Sequence, residues 1–185
     1  MEYENLVESK VSRCAIYDGK ILKVVKDLVL LPNGCEAERE FCVHPGGVCV
    51  IPLTEDGCVL MERQYRYPHG RVFFEIPAGK LNYKGEPTED AAKRELLEET
   101  GAVPGKFTFL GRIDTTPAII DERLYLYLAE DLSFGESSPD VDEFLFVEKV
   151  PFAELYKEVM AGNICDAKTQ IAILKVAALK PQLLL

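Results

Sequence analysis

GKLNYKGEPTEDAAKRELLEETGA, residues 79–102, is the stretch on which the fold turns. It runs from a glycine turn through a helix start into the cluster Arg94-Glu95-Leu96-Leu97-Glu98-Glu99 and stops at Gly101. Pro87 suits a first helical turn and Thr88 an N-cap. Gly101 stands where helices end in a left-handed residue. Spacings of i, i+3 and i+4 put Glu95, Glu98 and Glu99 on one face. A solvated acidic face is the commoner meaning of such a pattern. Here the like charges oppose one another, and they occupy the C-terminal half of the helix, where the macrodipole is already negative. A hard divalent cation, which takes oxygen ligands, offsets both penalties.

Working outward, Val72 to Ile76 reads as a strand and Pro77-Ala78-Gly79 as a turn, so the unit is strand, loop and a helix of about 12 residues. The segment resembles the Nudix box, G-x5-E-x7-R-E-U-x-E-E-x-G-U with U a bulky aliphatic residue. Glu86, Arg94, Glu95, Leu96, Glu98, Glu99 and Gly101 match it. Two departures stand out: one extra residue between Gly79 and Glu86, and the small Ala102 at the last U. A loop insertion is thermodynamically cheap. The likeness runs from about Val11 to Leu174. Arg63-Gln64-Tyr65-Arg66, Glu75-Ile76-Pro77-Ala78-Gly79, Pro117 and Gly162-Asn163-Ile164-Cys165-Asp166-Ala167-Lys168-Thr169 are similar to stretches of ADP-ribose pyrophosphatases within that family.

The remaining pattern is mostly β. Ser12–Tyr17, Lys20–Leu31 and Glu38–Val43 read as antiparallel strands, with Asp18-Gly19 and Asn33-Gly34 as turns. His44-Pro45-Gly46-Gly47 is a candidate boundary, separating a β region at 1–45 from a domain at 46–185. Core strands are expected at Val48–Leu53, Val59–Tyr65, Phe107–Asp114, Leu124–Asp131 and Val141–Val150, with helices at Ala153–Met160 and Ala167–Leu179. The fold class is therefore α+β. The resemblance makes it a Nudix α/β/α sandwich preceded by a small antiparallel β region.

A formal net charge of −10 disfavours nonspecific binding to nucleic acid or anionic membrane. No apolar run reaches the roughly 18 residues needed to span a bilayer, and the charged start MEYENLVESK lacks a signal-peptide core. The six cysteines contain no CxxC pair; several lie in apolar strands and read as buried, reduced thiols. These features point to a cytoplasmic location.

Cleaving a diphosphate demands a positioned water and neutralised phosphoryl charge. Glu95 and Glu99, one turn apart, are natural paired ligands for Mg2+, with Mn2+ as a substitute, and Glu98 is placed to share or bridge a second ion. The resemblance adds the carbonyl of Ala78. Arg94 reads as the group that orients the carboxylates, or alternatively as an i,i+4 surface partner of Glu98. Glu86, at the helix start, reads as structural. The resemblance places the catalytic base on the acidic loop SFGESSPDVD and its continuation. The candidates are Glu136, Asp140, Asp142 and Glu143, with Glu143 favoured as the acid before an apolar strand start.

Arg66 is the best phosphate ligand, with Glu75 and Glu122 as further substrate contacts, Arg63 as another or alternatively a surface charge, and Tyr17 or Phe41 as stacking candidates. The resemblance implies hydrolysis of a nucleoside diphosphate sugar, most simply ADP-ribose to AMP and ribose 5-phosphate. GDP-mannose or UDP-glucose is the alternative substrate type, and a non-catalytic sensor the alternative class. Retention of Arg94, Glu95, Glu98 and Glu99 argues against the sensor. The resemblance also implies a homodimer in which residues 8–44 pack on the partner and help form its pocket.

Overall fold

A computed structural model describes residues 3–138 and 143–185. Three of the loop positions named above, Asp140, Val141 and Asp142, lie outside that range. The chain divides into two compact units. One comprises residues 1–45 and 114–123, the other residues 46–113 and 124–185. Segment 114–123, which the sequence leaves within the second region, thus belongs with the first.

In the first unit, β1 (Ser9–Asp18), β2 (Lys23–Leu30) and β3 (Glu36–Val43) form an antiparallel sheet in the order β1-β2-β3. Asn33 Oδ1 accepts from Cys35 N–H at 3.0 Å, and Gly34 adopts φ 83°, so the Asn-Gly turn forms as expected. Arg13 grips the buried Asp27 through two 2.7 Å hydrogen bonds and lies over the Phe41 ring. Segment 114–123 joins this unit through the Cys42–Ile120 bridge.

The second unit explains itself by strand parity. β4 (Gly47–Pro52) is buried at every residue, as befits a strand covered on both faces. Cys49 and Ile51 face one apolar layer together with Leu126 and Leu128 of β9 (Arg123–Phe134); Val48 and Val50 face the other with Tyr127 and Ala129. β4 and β9 pair in parallel, within the sheet order β7-β4-β9-β8, where β7 is Ala78–Lys80 and β8 is Ala102–Asp114. A second sheet orders β10 (Leu145–Pro151), β5 (Cys58–Arg66) and β6 (Arg71–Glu75). Helix α1 (Thr88–Thr100) closes one layer; α2 (Phe152–Met160) and α3 (Ala167–Leu179) close the other. This is the α/β/α arrangement of an α+β fold.

Four local expectations need correction. Thr88 is the first helical residue rather than the N-cap, and Pro87 takes the cap position without a side-chain bond. The Thr88 hydroxyl instead shares a 2.6 Å hydrogen bond with Tyr127 Oη. Ala78 and Gly79 form a short strand on β4 rather than a free turn. Within the described part of the strand expected at Val141–Val150, β10 begins at Leu145 and leaves Glu143 and Phe144 ahead of it. Of the six cysteines, Cys49 alone is fully buried.

Candidate active site

Helix α1 presents its acids to the Ala78–Gly79 backbone, and the glycine is what permits it. A Cβ on Gly79 would lie 1.9 Å from Glu95 Cδ, so the carboxylate occupies the space that any side chain would need. One turn on, Glu99 Oε2 accepts from the Ala78 N–H at 3.1 Å. Arg94 Nη1 donates to Glu95 Oε1 and to Glu98 Oε2, both at 2.9 Å, and its Nη2 lies 3.8 Å from Glu86. Arg94 therefore holds both Glu95 and, as an i,i+4 pair, Glu98. Glu86 accepts from the Asn82 N–H at 2.6 Å and thereby closes the loop ahead of the helix.

At its far end α1 stops at Gly101, φ 73°, whose N–H returns to Leu97 C=O. The acidic loop is fastened there. Gly135 N–H donates to Gly101 C=O at 2.8 Å and Ser138 N–H to Glu98 C=O at 2.9 Å, which satisfies carbonyls the helix leaves open. Burial raises the pKa of Glu62, Glu95 and Glu99, and Glu143, just beyond that loop, adds to the rise in each. Glu99 is pushed far above the ordinary carboxylate range, first by burial and then by Glu62, Glu95 and Glu143.

Beside this group lies a cleft of about 270 Å³ lined by Arg66, Pro68, His69, Phe73, Glu75, Asp166 and Lys168. Glu75 accepts from Arg66 Nε at 2.7 Å and from Lys168 Nζ. Burial raises the Glu75 pKa, but these two cations outweigh it and leave a depressed value. Lys168 is delivered by the start of α3. There Asp166 caps the helix by accepting from Thr169 N–H, and the Thr169 hydroxyl donates to Asp166 and accepts from Ile76 N–H at 3.0 Å. That relay ties the Asp-Ala-Lys-Thr tail to the end of β6, 93 residues away.

The structure thus brings Arg66 and Glu75 together, and Glu95, Glu98 and Glu99 with Arg94. Arg63 is not among them. It projects from the opposite face of β5, where it pairs with Glu148 at 2.6 Å and covers the Phe74 ring. Glu122 belongs to the first unit, where it accepts from Thr115 and lies 3.5 Å from His44 Nδ1. Tyr17 is exposed on β1, and Phe41 sits under Arg13. Sequence reasoning missed Glu62, Lys168 and Asp166 as site residues. It also missed the pairing of His69 with Phe73, rings 4.9 Å apart, on the cleft wall.

Among the described residues no three acidic, thiol or imidazole groups already surround one point; Glu95 and Glu98 are turned to Arg94. The donor set still suits a hard cation: Glu95 and the buried Glu99 sit against the Ala78–Gly79 backbone, and the buried Glu62 has an oxygen with no hydrogen-bond partner among the described residues.

A NUDIX domain model matches residues 43–168. The chain belongs to the Nudix family and is a pyrophosphatase of that family. It is 40% identical to the ADP-ribose pyrophosphatase of Bacillus subtilis (strain 168) over 172 residues, 92% of each chain. It is 38% identical to the methanol dehydrogenase activator of Bacillus methanolicus over 90% of each. A crystal structure of an ADP compounds hydrolase superposes with TM-score 0.82 over 95% of both chains at 19% identity, a likeness of fold.

Proposed function

We propose that this enzyme hydrolyses the diphosphate bond of nucleoside diphosphate sugars, with ADP-ribose as its substrate and Mg2+ as its metal ion. Mn2+ substitutes for Mg2+. The carrying observation is the placement of Glu95 and Glu99 against Ala78–Gly79, with the cationic cleft of Arg66 and Lys168 beside them. The relative from Bacillus subtilis adds the choice of ADP-ribose.

Glu95 and Glu99, with Glu98 and the Ala78 carbonyl, would hold the ion. When bound it supplies positive charge where the phosphoryl oxygens gain negative charge, and it acidifies water. The chain's own residues do the rest. Arg66 and Lys168 place cationic donors along the cleft to receive the diphosphate, and Glu75 fixes both of them. Arg94 sets the orientation of Glu95 and Glu98. Glu143 takes the proton from a water that attacks one phosphorus atom. The bond from that phosphorus to the bridging oxygen breaks, giving AMP and ribose 5-phosphate. Phe73 and His69 form the aromatic wall on which the base stacks.

The homodimer also belongs to this reading. β1 is exposed along its whole length, with Val11 and Ile16 on it and Ile21 and Leu22 just after it as exposed apolar side chains. Open strand edges of this kind are ordinarily covered. Sedimentation at two chain masses in micromolar solution is expected, and one mass throughout would end the dimer assignment.

A panel of ADP-ribose, GDP-mannose and UDP-glucose, each with Mg2+ or Mn2+, tests the substrate. The expected result is kcat/KM at least tenfold higher for ADP-ribose. A preference for either other sugar nucleotide would replace that assignment and leave the reaction type standing.

A further inference from the structure

Strand parity decides where Glu62 points. On β5, Leu60 packs in the apolar layer that holds Ala92 and Leu96 of α1, whereas Val59 and Met61 pack in the layer of α2 and α3. Glu62 lies two residues past Leu60 and so projects to the α1 side. Glu99 lies three residues past Leu96 and so shares its helix face. The two carboxylates extend the same layer at the same end.

Both are sealed, Glu62 being 2% and Glu99 5% exposed. The neighbouring cations are engaged with other acids: Arg66 and Lys168 with Glu75, and Arg94 with Glu95 and Glu98. Glu99 accepts one hydrogen bond, from the Ala78 N–H, and Glu62 Oε1 has no hydrogen-bond partner among the described residues. Buried carboxylates are normally hydrogen-bonded, paired or metal-coordinated, because an isolated buried charge is strongly disfavoured. The residues before Glu62, Val59 to Met61, are apolar and buried, so a valine would continue the strand without that penalty.

We propose that Glu62 is a further oxygen ligand of the divalent-cation site, facing Glu99 from β5 and lying outside the acid cluster of α1. The proposal rests on the metal-dependent reading given above. A cation so held would draw ligands from both α1 and β5, the central strand of the β10-β5-β6 sheet.

Mn2+ binding without substrate tests this directly. Electron paramagnetic resonance of free Mn2+ gives the number and affinity of bound ions for the wild type, Glu62→Gln, Glu62→Val and Glu99→Gln. Melting curves in chelator and in Mn2+ accompany it. Glu62→Gln and Glu62→Val are expected to lose one bound ion or to weaken Mn2+ binding at least tenfold. Their Mn2+-induced rise in Tm should shrink while their Tm in chelator equals or exceeds that of the wild type. Wild-type ion number and affinity in both variants would overturn the proposal and leave Glu62 a buried acid. Should Glu62→Gln fail to fold, Glu62→Val, which suits a strand, carries the same measurement. A wild type that binds no Mn2+ would instead remove the metal-dependent reading itself.

Discussion

Gly79→Ala isolates the geometry on which the site depends. The added Cβ would sit 1.9 Å from Glu95 Cδ and 2.1 and 2.2 Å from its two oxygens, far inside contact distance. The obstacle is the tip of a flexible side chain, so Glu95 swings away rather than the backbone shifting. Overpacking of that kind costs about 1 kcal/mol, a fall in Tm of roughly 2–4 °C for a chain of this size. The chemical cost is larger. Losing one carboxylate from the cation site removes on the order of 3–4 kcal/mol of transition-state stabilisation, or roughly 10²–10³-fold in kcat/KM at 1.36 kcal/mol per decade. Steady-state hydrolysis at saturating Mg2+, read beside a thermal melt, measures both. The double variant Gly79→Ala, Glu95→Ala should be no slower than Glu95→Ala alone, because the first change acts through the second residue. A Gly79→Ala enzyme retaining more than a third of wild-type kcat/KM, or effects that simply add, would refute this reasoning.

Other perturbations reach different parts of the molecule. Glu99→Gln keeps size and helix propensity and should leave less than about a tenth of wild-type kcat with the melt unchanged or raised. Glu143→Gln should lower kcat with little change in KM, the pattern of a group acting in the transition state; the same pattern from Glu136 or Asp142 instead would move the base. Thr169→Val strips the acceptor from the buried Ile76 N–H and should cost about 2 kcal/mol in denaturant unfolding. An effect under about 0.5 kcal/mol would show that water replaces the hydroxyl. Glu130, held below its ordinary pKa by Lys180 and Lys106 against the upward push of burial, supplies stability that is present above about pH 4.5 and lost as pH falls through its depressed value. Glu130→Gln should therefore lower Tm at pH 7 and match the wild type in strong acid, and a gap that persists there would contradict the ion-pair account.

What could be read from the chain divides by the range of the signal. Helix α1, its glycine stop and its acid face follow from residues within one or two turns of each other, and the structure places them at the expected spacing. The helix start slipped by one residue because Thr88 bonds Tyr127, a partner 39 residues on, instead of its own backbone. Lys168 was visible as part of a tail motif, but its role depends on Glu75, 93 residues away. Arg63 and Arg66 look alike in sequence; an odd spacing on a strand sends them to opposite faces. Glu62 did leave a trace, as one acid closing the apolar run Cys58–Met61 in register with Leu60. That trace is indistinguishable from an ordinary surface alternation until α1 is known to cover that face. Tyr17 and Phe41, the aromatic candidates offered by the sequence, lie in the first unit, and the rings that line the cleft are those of Phe73 and His69.

In the proposed reaction the carboxylate site on α1 directs water to a diphosphate. Phosphorus-31 NMR of ADP-ribose turnover in oxygen-18 water with Mg2+, using wild type and Glu99→Gln, tests it most directly. The expected products are AMP and ribose 5-phosphate in equal amounts, with one oxygen-18 on a single phosphate and no turnover with chelator or with Glu99→Gln. Undiminished product from Glu99→Gln, or ADP-ribose left intact by the Mg2+-loaded wild type, would contradict it.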